Sequence, residues 1–94
     1  MIRIKLDEHR MIGVTFDYPN VMSGKRVTRC QLFDLPESQV RKEIFMGMGK
    51  AFCDDRDNFK KEVGRKMTLT RALAAVRLPK DVRTKVWEGY FNRS

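Results

Sequence analysis

The sequence predicts an α+β domain, an antiparallel four-stranded meander followed by two C-terminal helices that pack on one face of the sheet. Apolar residues recur at every second position in the first half of the chain, and at the helical period of about 3.6 residues in the second half. With 94 residues and 41% apolar composition, the chain has room for one core. We therefore expect a single domain over residues 1–94, with strands in 1–53 and helices in 57–93.

The first two strands follow from an alternation that one polar turn interrupts. Apolar and basic residues alternate over residues 2–6, and the polar run at 7–10 predicts a turn. The alternation resumes over residues 11–18. Pro19 then ends the second strand, because proline cannot donate a hydrogen bond to the ladder.

The third and fourth strands are predicted over residues 27–35 and 42–53, with a proline-containing loop at 34–39 between them. Small side chains occupy one face of the fourth strand, at Gly47, Gly49, Ala51 and Cys53. Such a strip indicates that a helix or another backbone lies close against this face.

The two cysteines, Cys30 and Cys53, are too few for a disulfide scaffold and have no C-x-x-C spacing, which is typical of a reduced cytosolic protein. If residues 28–30 face residues 51–53, the two thiols are cross-strand neighbours. We then expect them to form a buried apolar pair.

The first helix is predicted over residues 58–76, with Asp54, Asp55 and Asp57 at positions that favour acidic N-caps. On a helical wheel the apolar stripe consists of Phe59, Val63, Met67, Thr70, Leu73 and Ala74, with Leu69 and Val76 flanking it. The opposite face is basic and has small side chains: Lys60, Lys61, Gly64, Arg65, Thr68, Arg71, Ala72 and Ala75. We expect Lys66, which lies among the apolar positions, to extend over the edge of the sheet.

The second helix begins at Pro79, which is well suited to a first turn. Its apolar positions are Val82, Val86, Trp87, Tyr90 and Phe91. Their helical spacing predicts that the three aromatic side chains anchor this terminal helix to the core.

Catalysis and metal binding are not predicted. His9 lies in a turn without a nucleophile nearby, and the acidic cluster at 54–57 lacks the glycine and the distal glutamate of a calcium loop. Residues 47–50 resemble a phosphate loop only in part, because Ile44 and Ala51 replace its first glycine and its hydroxyl residue. We therefore expect no enzyme activity, no cofactor and no metal.

The formal net charge of +8 favours an anionic partner. Basic residues of the predicted helices form the candidate binding site, because guanidinium forks bind phosphates bidentately; they are Lys61, Arg65, Arg71 and Arg83. Gly64 and Thr68 mark a candidate helix contact, since a helical glycine costs about 1 kcal/mol relative to alanine unless something approaches it closely. The second helix, a partner subunit and an anionic ligand are the alternatives for that contact.

Residues 53–73 contain the pattern C-x-x-x-D-x-F-x-K-x-x-G-R-K followed by R-A-L. This segment resembles small bacteriophage accessory proteins, in which a strand ending in cysteine leads into such a helix. Residues 82–91 are similar to the C-terminal helix of those proteins. More distantly, strands followed by two arginine-bearing helices resemble phage anti-Thoeris sponges, which implies binding of a nucleotide signal without cleavage.

We therefore expect a phage-encoded, non-enzymatic counter-defence protein that binds and occludes an anionic ligand or a host protein through its basic helical face. The expected partners are a host defence protein or a nucleotide signal in the cytoplasm of the host cell, not a membrane. A nonspecific nucleic-acid-binding module, in which the first helix or the sheet follows the phosphates, is the alternative. Assembly of the chain into a homo-oligomer is a further alternative.

Overall fold

A computed structural model describes residues 1–19, 25–36, 43–54 and 61–93, without the side chains of residues 25, 53 and 54. The predicted α+β fold is confirmed: the four strands form one antiparallel sheet in the order β1-β2-β3-β4, and two helices follow. The elements are β1 (Ile2–Lys5), β2 (Arg10–Asp17), β3 (Lys25–Pro36), β4 (Ile44–Asp54), α1 (Lys61–Val76) and α2 (Lys80–Phe91).

The predicted turn between β1 and β2 is closed by backbone and side-chain hydrogen bonds. Leu6 N donates to Arg10 O at 2.9 Å, and His9 N donates to Asp7 Oδ1 at 2.7 Å. This second bond favours the ionised carboxylate and lowers the pKa of Asp7. The tight turn places β1 antiparallel to β2, with Ile4 opposite Ile12.

β3 and β4 form a long antiparallel pair whose register differs from the one that would join the cysteines. Cys30 lies opposite Gly49, whereas Cys53 lies opposite Arg26, four residues further along β4. The predicted thiol pair is therefore wrong. A register shift between Leu32 and Phe33 adds one residue to β4, as in a β-bulge.

The core lies on one face of the sheet, beneath both helices. α1 contacts β3 and β4, and α2 contacts β1, so the helices share the face between them. The buried cluster consists of Ile4, Leu6, Ile12, Val14, Cys30, Leu32, Leu69, Ala72, Leu73, Val86 and Tyr90. No described helix or strand covers the opposite face of the sheet.

The strip of small residues on β4 is where α1 approaches the sheet most closely. A Cβ atom on Gly49 would lie 2.6 Å from Ala72 N and closer still to Thr68 O. The prediction that a helix lies close against the small residues of β4 is therefore confirmed, because the absence of a side chain at Gly49 lets the backbones of α1 and β4 approach each other.

The orientation of α1 differs from the one that the apolar stripe predicts. The residues that α1 buries are Thr68, Leu69, Ala72 and Leu73. Val63 and Met67, from the predicted stripe, are 54% and 42% exposed. Leu73 of the predicted stripe and the flanking Leu69 are buried, but the buried face also takes in Thr68 and Ala72, because larger side chains would not fit at the close approach to Gly49.

Gly64 and Lys66 both have partners other than the expected ones. A Cβ atom on Gly64 would lie 2.7 Å from Thr28 Oγ1, so the element that approaches this glycine is strand β3 of the same chain. Thr68 is buried on the same side of α1. Lys66 does not extend over the sheet edge, because its Nζ lies 5.5 Å from the centroid of the Phe91 ring on α2.

The helices meet at a short connection. α1 ends at Val76 as predicted, Arg77 adopts a left-handed conformation (φ 58°), and Pro79 is the N-cap of α2. The predicted start of α1 at residue 58 and the predicted capping by Asp55 and Asp57 lie outside the described residues. In the described ranges, no helix has the length and apolar character to cross a membrane.

The aromatic residues of α2 divide between core and surface. Tyr90 is fully buried and Trp87 is partly buried, as expected of core anchors. Phe91 is 57% exposed, so it does not anchor the helix as predicted. Its position on the outer side of α2 leaves it in contact with Trp87, at a ring-centroid distance of 5.7 Å.

Candidate functional site

Two of the four predicted binding residues lie together at the N-terminal end of α1. Arg65 Nε donates a hydrogen bond to Tyr18 Oη at 2.9 Å, and Lys61 Nζ lies 5.1 Å from the centroid of the same tyrosine ring. Tyr18, which directly follows β2, thus contacts both Lys61 and Arg65 at the end of that strand. The i, i+4 spacing of Lys61 and Arg65 on the helix makes this arrangement predictable from sequence.

The other two predicted residues lie elsewhere. Arg71 Nη1 donates to the backbone carbonyl of Lys50 on β4 at 2.6 Å, so it reaches the far edge of the sheet. Arg83 lines a separate groove between the helices, together with Lys80 and Trp87. The four basic residues therefore do not form one continuous surface.

The structure adds Arg93, which the sequence patterns did not single out. Arg93 and Arg65 line the same cleft, with a volume of about 450 Å³, at the end of the β1–β2 pair. We call it the arginine cleft; its other lining residues are Met1, Ile2, Val14, Thr15 and Phe16. Arg93 follows the last helix, and no local periodicity marks a residue in that position.

Arg93 is held in place by contacts from both helices. Its Nη2 donates to Glu62 Oε2 at 3.0 Å, its Nη1 donates to Tyr90 O, and its Cζ lies 3.9 Å from the centroid of the Tyr90 ring. Tyr90 Oη donates to the other oxygen of Glu62 at 2.9 Å. Glu62 therefore joins α1 to the end of α2 and orients one wall of the cleft.

Arg65 differs from Arg93 in having no carboxylate partner in the described part of the chain. Its hydrogen-bond partner is the neutral Tyr18 hydroxyl, and its Cζ lies 5.8 Å from the centroid of the Phe16 ring. Among the described residues, neither of its Nη atoms has a hydrogen-bond acceptor, so both can donate to a ligand. The guanidinium is partly buried, which strengthens its electrostatic interaction with a bound anion.

Thr15 contributes a hydroxyl group that the described residues do not satisfy. Thr15 lies at the arginine cleft, but it follows Val14 and precedes Phe16, which both face the core, so its side chain points to the other face of the sheet. Its Oγ1 is buried there without a hydrogen-bond partner among the described residues. A buried unpaired polar group costs about 1–3 kcal/mol. Because its side chain points to the other face, this hydroxyl is not a ligand-binding group of the arginine cleft.

The arginine cleft contains two guanidinium groups, which are groups that bind anions. Cys30 lies away from it in the core, where burial raises the pKa of its thiol to about 12 and keeps it protonated. Within the ranges that the structure describes, no three His, Cys, Asp or Glu side chains come together as a metal site requires. The two arginines of the cleft therefore suit the binding of an anion.

Comparison with models of protein families, with curated proteins and with solved structures finds no match to this chain.

The Glu62 cluster predicts a pH-dependent stability. The hydrogen bond from Tyr90, and then the charge of Arg93, lower the pKa of Glu62 below its ordinary value of 4.5. A carboxyl group whose pKa is lowered by folding stabilises the protein above its unfolded-state pKa, and this contribution is lost as the pH falls through the folded-state pKa. Glu62→Gln should therefore lower the free energy of unfolding at pH 7, with a difference from wild type that shrinks below about pH 4.5.

Urea denaturation of both proteins between pH 7 and pH 3 measures this difference. Glu88→Gln is the matched control, since Glu88 is an exposed carboxyl group on α2. It should change stability little at any pH. A Glu62→Gln difference that stays constant over the whole range would contradict the assigned role of the Glu62 carboxylate.

Proposed function

We propose that this protein is a non-enzymatic binding protein that takes up a phosphate-bearing small anion in the arginine cleft. One observation carries the proposal: Arg65 and Arg93 line the same cleft, and Arg65 has no carboxylate partner among the described residues. A partly buried guanidinium that forms no hydrogen bond to a carboxylate of the described residues is suited to an anionic ligand.

The chemistry of the cleft favours phosphate over carboxylate or a bare inorganic ion. Arg65 presents a guanidinium fork whose N–H donors match the oxygens of a phosphate or pyrophosphate, and Arg93, which already donates to Glu62 and to Tyr90 O, adds positive charge to the cleft. Phe16 adds an apolar ring on which a base can stack. The volume of about 450 Å³ lies within the usual range for small-ligand sites, about 300–1,000 Å³. A nucleotide combines all these features.

The biological role that we propose is counter-defence in the cytoplasm of a phage-infected host cell. The resemblance of residues 53–73 to phage accessory proteins supports this role. A protein that holds a nucleotide signal without cleaving it acts by stoichiometry, so it must be made in amounts comparable to its ligand. A host defence protein with an acidic patch is the other partner that the net charge of +8 suits.

Isothermal titration calorimetry with ATP, ADP-ribose and inorganic phosphate as separate probes tests the proposal. At least one of the two nucleotides should bind more tightly than inorganic phosphate. Arg65→Gln should weaken that binding about tenfold or more, because a charge-assisted hydrogen bond contributes about 1.5–3 kcal/mol.

Arg83→Gln is the control, because it removes an equal charge from a different groove. Its binding should change less than about twofold. Equal losses in Arg65→Gln and Arg83→Gln would contradict the assignment of the arginine cleft. The absence of binding by either nucleotide would contradict the proposed ligand class.

A further inference from the structure

The face of the sheet that the helices leave uncovered carries aromatic side chains. Leu32, Gly49 and Ala51 point into the core, so their strand neighbours point to the other side. On that side Val27 is buried (4% exposed), whereas Phe45 is 50% exposed and Phe52, which lies opposite Val27, is 62% exposed. We call this surface the open sheet face; its large described apolar residues are Met11, Phe33, Leu35, Phe45, Met48 and Phe52.

Two aromatic residues of the open sheet face, Phe45 and Phe52, lie on strand β4. Phe45 packs edge-on against Phe33 of β3, with ring centroids 5.8 Å apart. Phe52 lies further along β4. The residues opposite Phe45 and Phe52 on β3 are six residues apart, which at about 3.4 Å per residue separates the two rings by about 20 Å. Lys50 is exposed on the same side between the two. The strand thus presents two aromatic rings separated by a cation, over the length of a few nucleotides.

The charge of this face is positive. Arg3, Lys5 and Lys50 are exposed on it. Asp17 is the only acidic residue among the strand side chains described there, and Arg29 already forms an ion pair with it, donating from Nε at 2.8 Å. Apart from this paired aspartate, the strand side chains described on the face carry no negative charge opposite the three exposed cations.

A second copy of the chain fits this surface less well. Two such faces would bring several lysine and arginine side chains together, which disfavours self-association. Four strands spaced about 4.8 Å apart and about 25 Å long give a face of roughly 500 Å². That is below the roughly 800 Å² per partner of a standard interface. Aromatic rings interspersed with cations match the bases and phosphates of a nucleic-acid strand instead.

We propose that the open sheet face binds single-stranded nucleic acid, with bases stacking on Phe45 and Phe52 and phosphates contacting Lys50 and Arg3. The bases of a duplex are already stacked on each other, so a duplex cannot use the phenylalanine rings in this way. Binding here is independent of sequence, because every base has a face that can stack. It is also independent of the arginine cleft.

Fluorescence anisotropy with an oligothymidylate of about 20 nucleotides, and with a duplex of equal length, tests this inference. The single strand should bind more tightly than the duplex. Phe45→Ala and Phe52→Ala should each weaken its binding about fivefold or more, as expected for loss of one stacking contact. Lys50→Gln should reduce the slope of log affinity against log salt by about one.

Phe91→Ala is the matched control, since Phe91 is 57% exposed but lies on α2, behind the sheet. It should leave oligothymidylate binding unchanged, and so should Arg83→Gln, which removes one positive charge from the separate groove between the helices. Circular dichroism checks that each variant is folded. Equal effects of Phe91→Ala and Phe45→Ala would overturn the proposal. So would an absence of oligothymidylate binding, or a wild-type dimer that Phe45→Ala and Phe52→Ala convert to monomer.

Discussion

Gly49→Ala is expected to lower the free energy of unfolding by about 3 kcal/mol, as a severe case of overpacking. The added Cβ atom would lie 2.6 Å from Ala72 N and closer to Thr68 O, and both atoms belong to the backbone of α1. A helix backbone cannot move aside as the end of a flexible side chain can. The substitution must therefore displace α1 from β4 and open the core between them.

Gly47→Ala is the matched control for this prediction, because it makes the same chemical change two residues earlier on β4. Its Cβ atom would meet Val76 Cγ2 at 2.7 Å, which is a side-chain atom near the end of α1. We expect a loss of about 1 kcal/mol. Urea denaturation of the two variants gives the comparison, and a Gly49→Ala protein as stable as Gly47→Ala would contradict the close helix–strand contact.

Leu69→Ala is the second substitution with a large expected effect, a loss of about 3 kcal/mol in the free energy of unfolding. Leu69 lies on the inner face of α1 and is fully buried. Truncating it removes apolar area from the core and leaves a cavity that the β-sheet cannot close, because the strands are held in register by their ladder hydrogen bonds.

Met67→Ala provides the contrast that decides the orientation of α1. Met67 belongs to the apolar stripe that the helical wheel predicts, yet its side chain is 42% exposed. We expect a loss below about 1 kcal/mol, less than a third of that for Leu69→Ala. A larger loss for Met67→Ala than for Leu69→Ala would mean that α1 buries the stripe and not the small-residue face.

The strands were predictable because alternation is a local property. Ile4, Ile12 and Val14 occupy alternate positions, and all three are buried on the helix-covered face. The register between strands was not predictable in the same way. Cys53 lies opposite Arg26, four residues along β4 from the position opposite Cys30, since the β-bulge and the length of the β3–β4 connection set that offset, and neither has a periodic signature.

The candidate site was predictable only in part. Lys61 and Arg65 are neighbours because one turn of helix separates them, which the sequence shows directly. Arg93 joins Arg65 only because α2 returns across the sheet and Glu62 receives its guanidinium. The open sheet face likewise depends on a tertiary fact, namely that both helices pack on the same side.

The sequence by itself determined the order of the elements, the inward face of each strand from β1 to β3, and the end of α1, because alternation, helical period and chain-breaking residues act within a few positions. Only the tertiary structure decided which side of α1 is buried. A helical wheel ranks side chains by polarity, whereas the close contact between α1 and β4 at Gly49 admits only small side chains. Ala72 fits against that strand and Met67 does not.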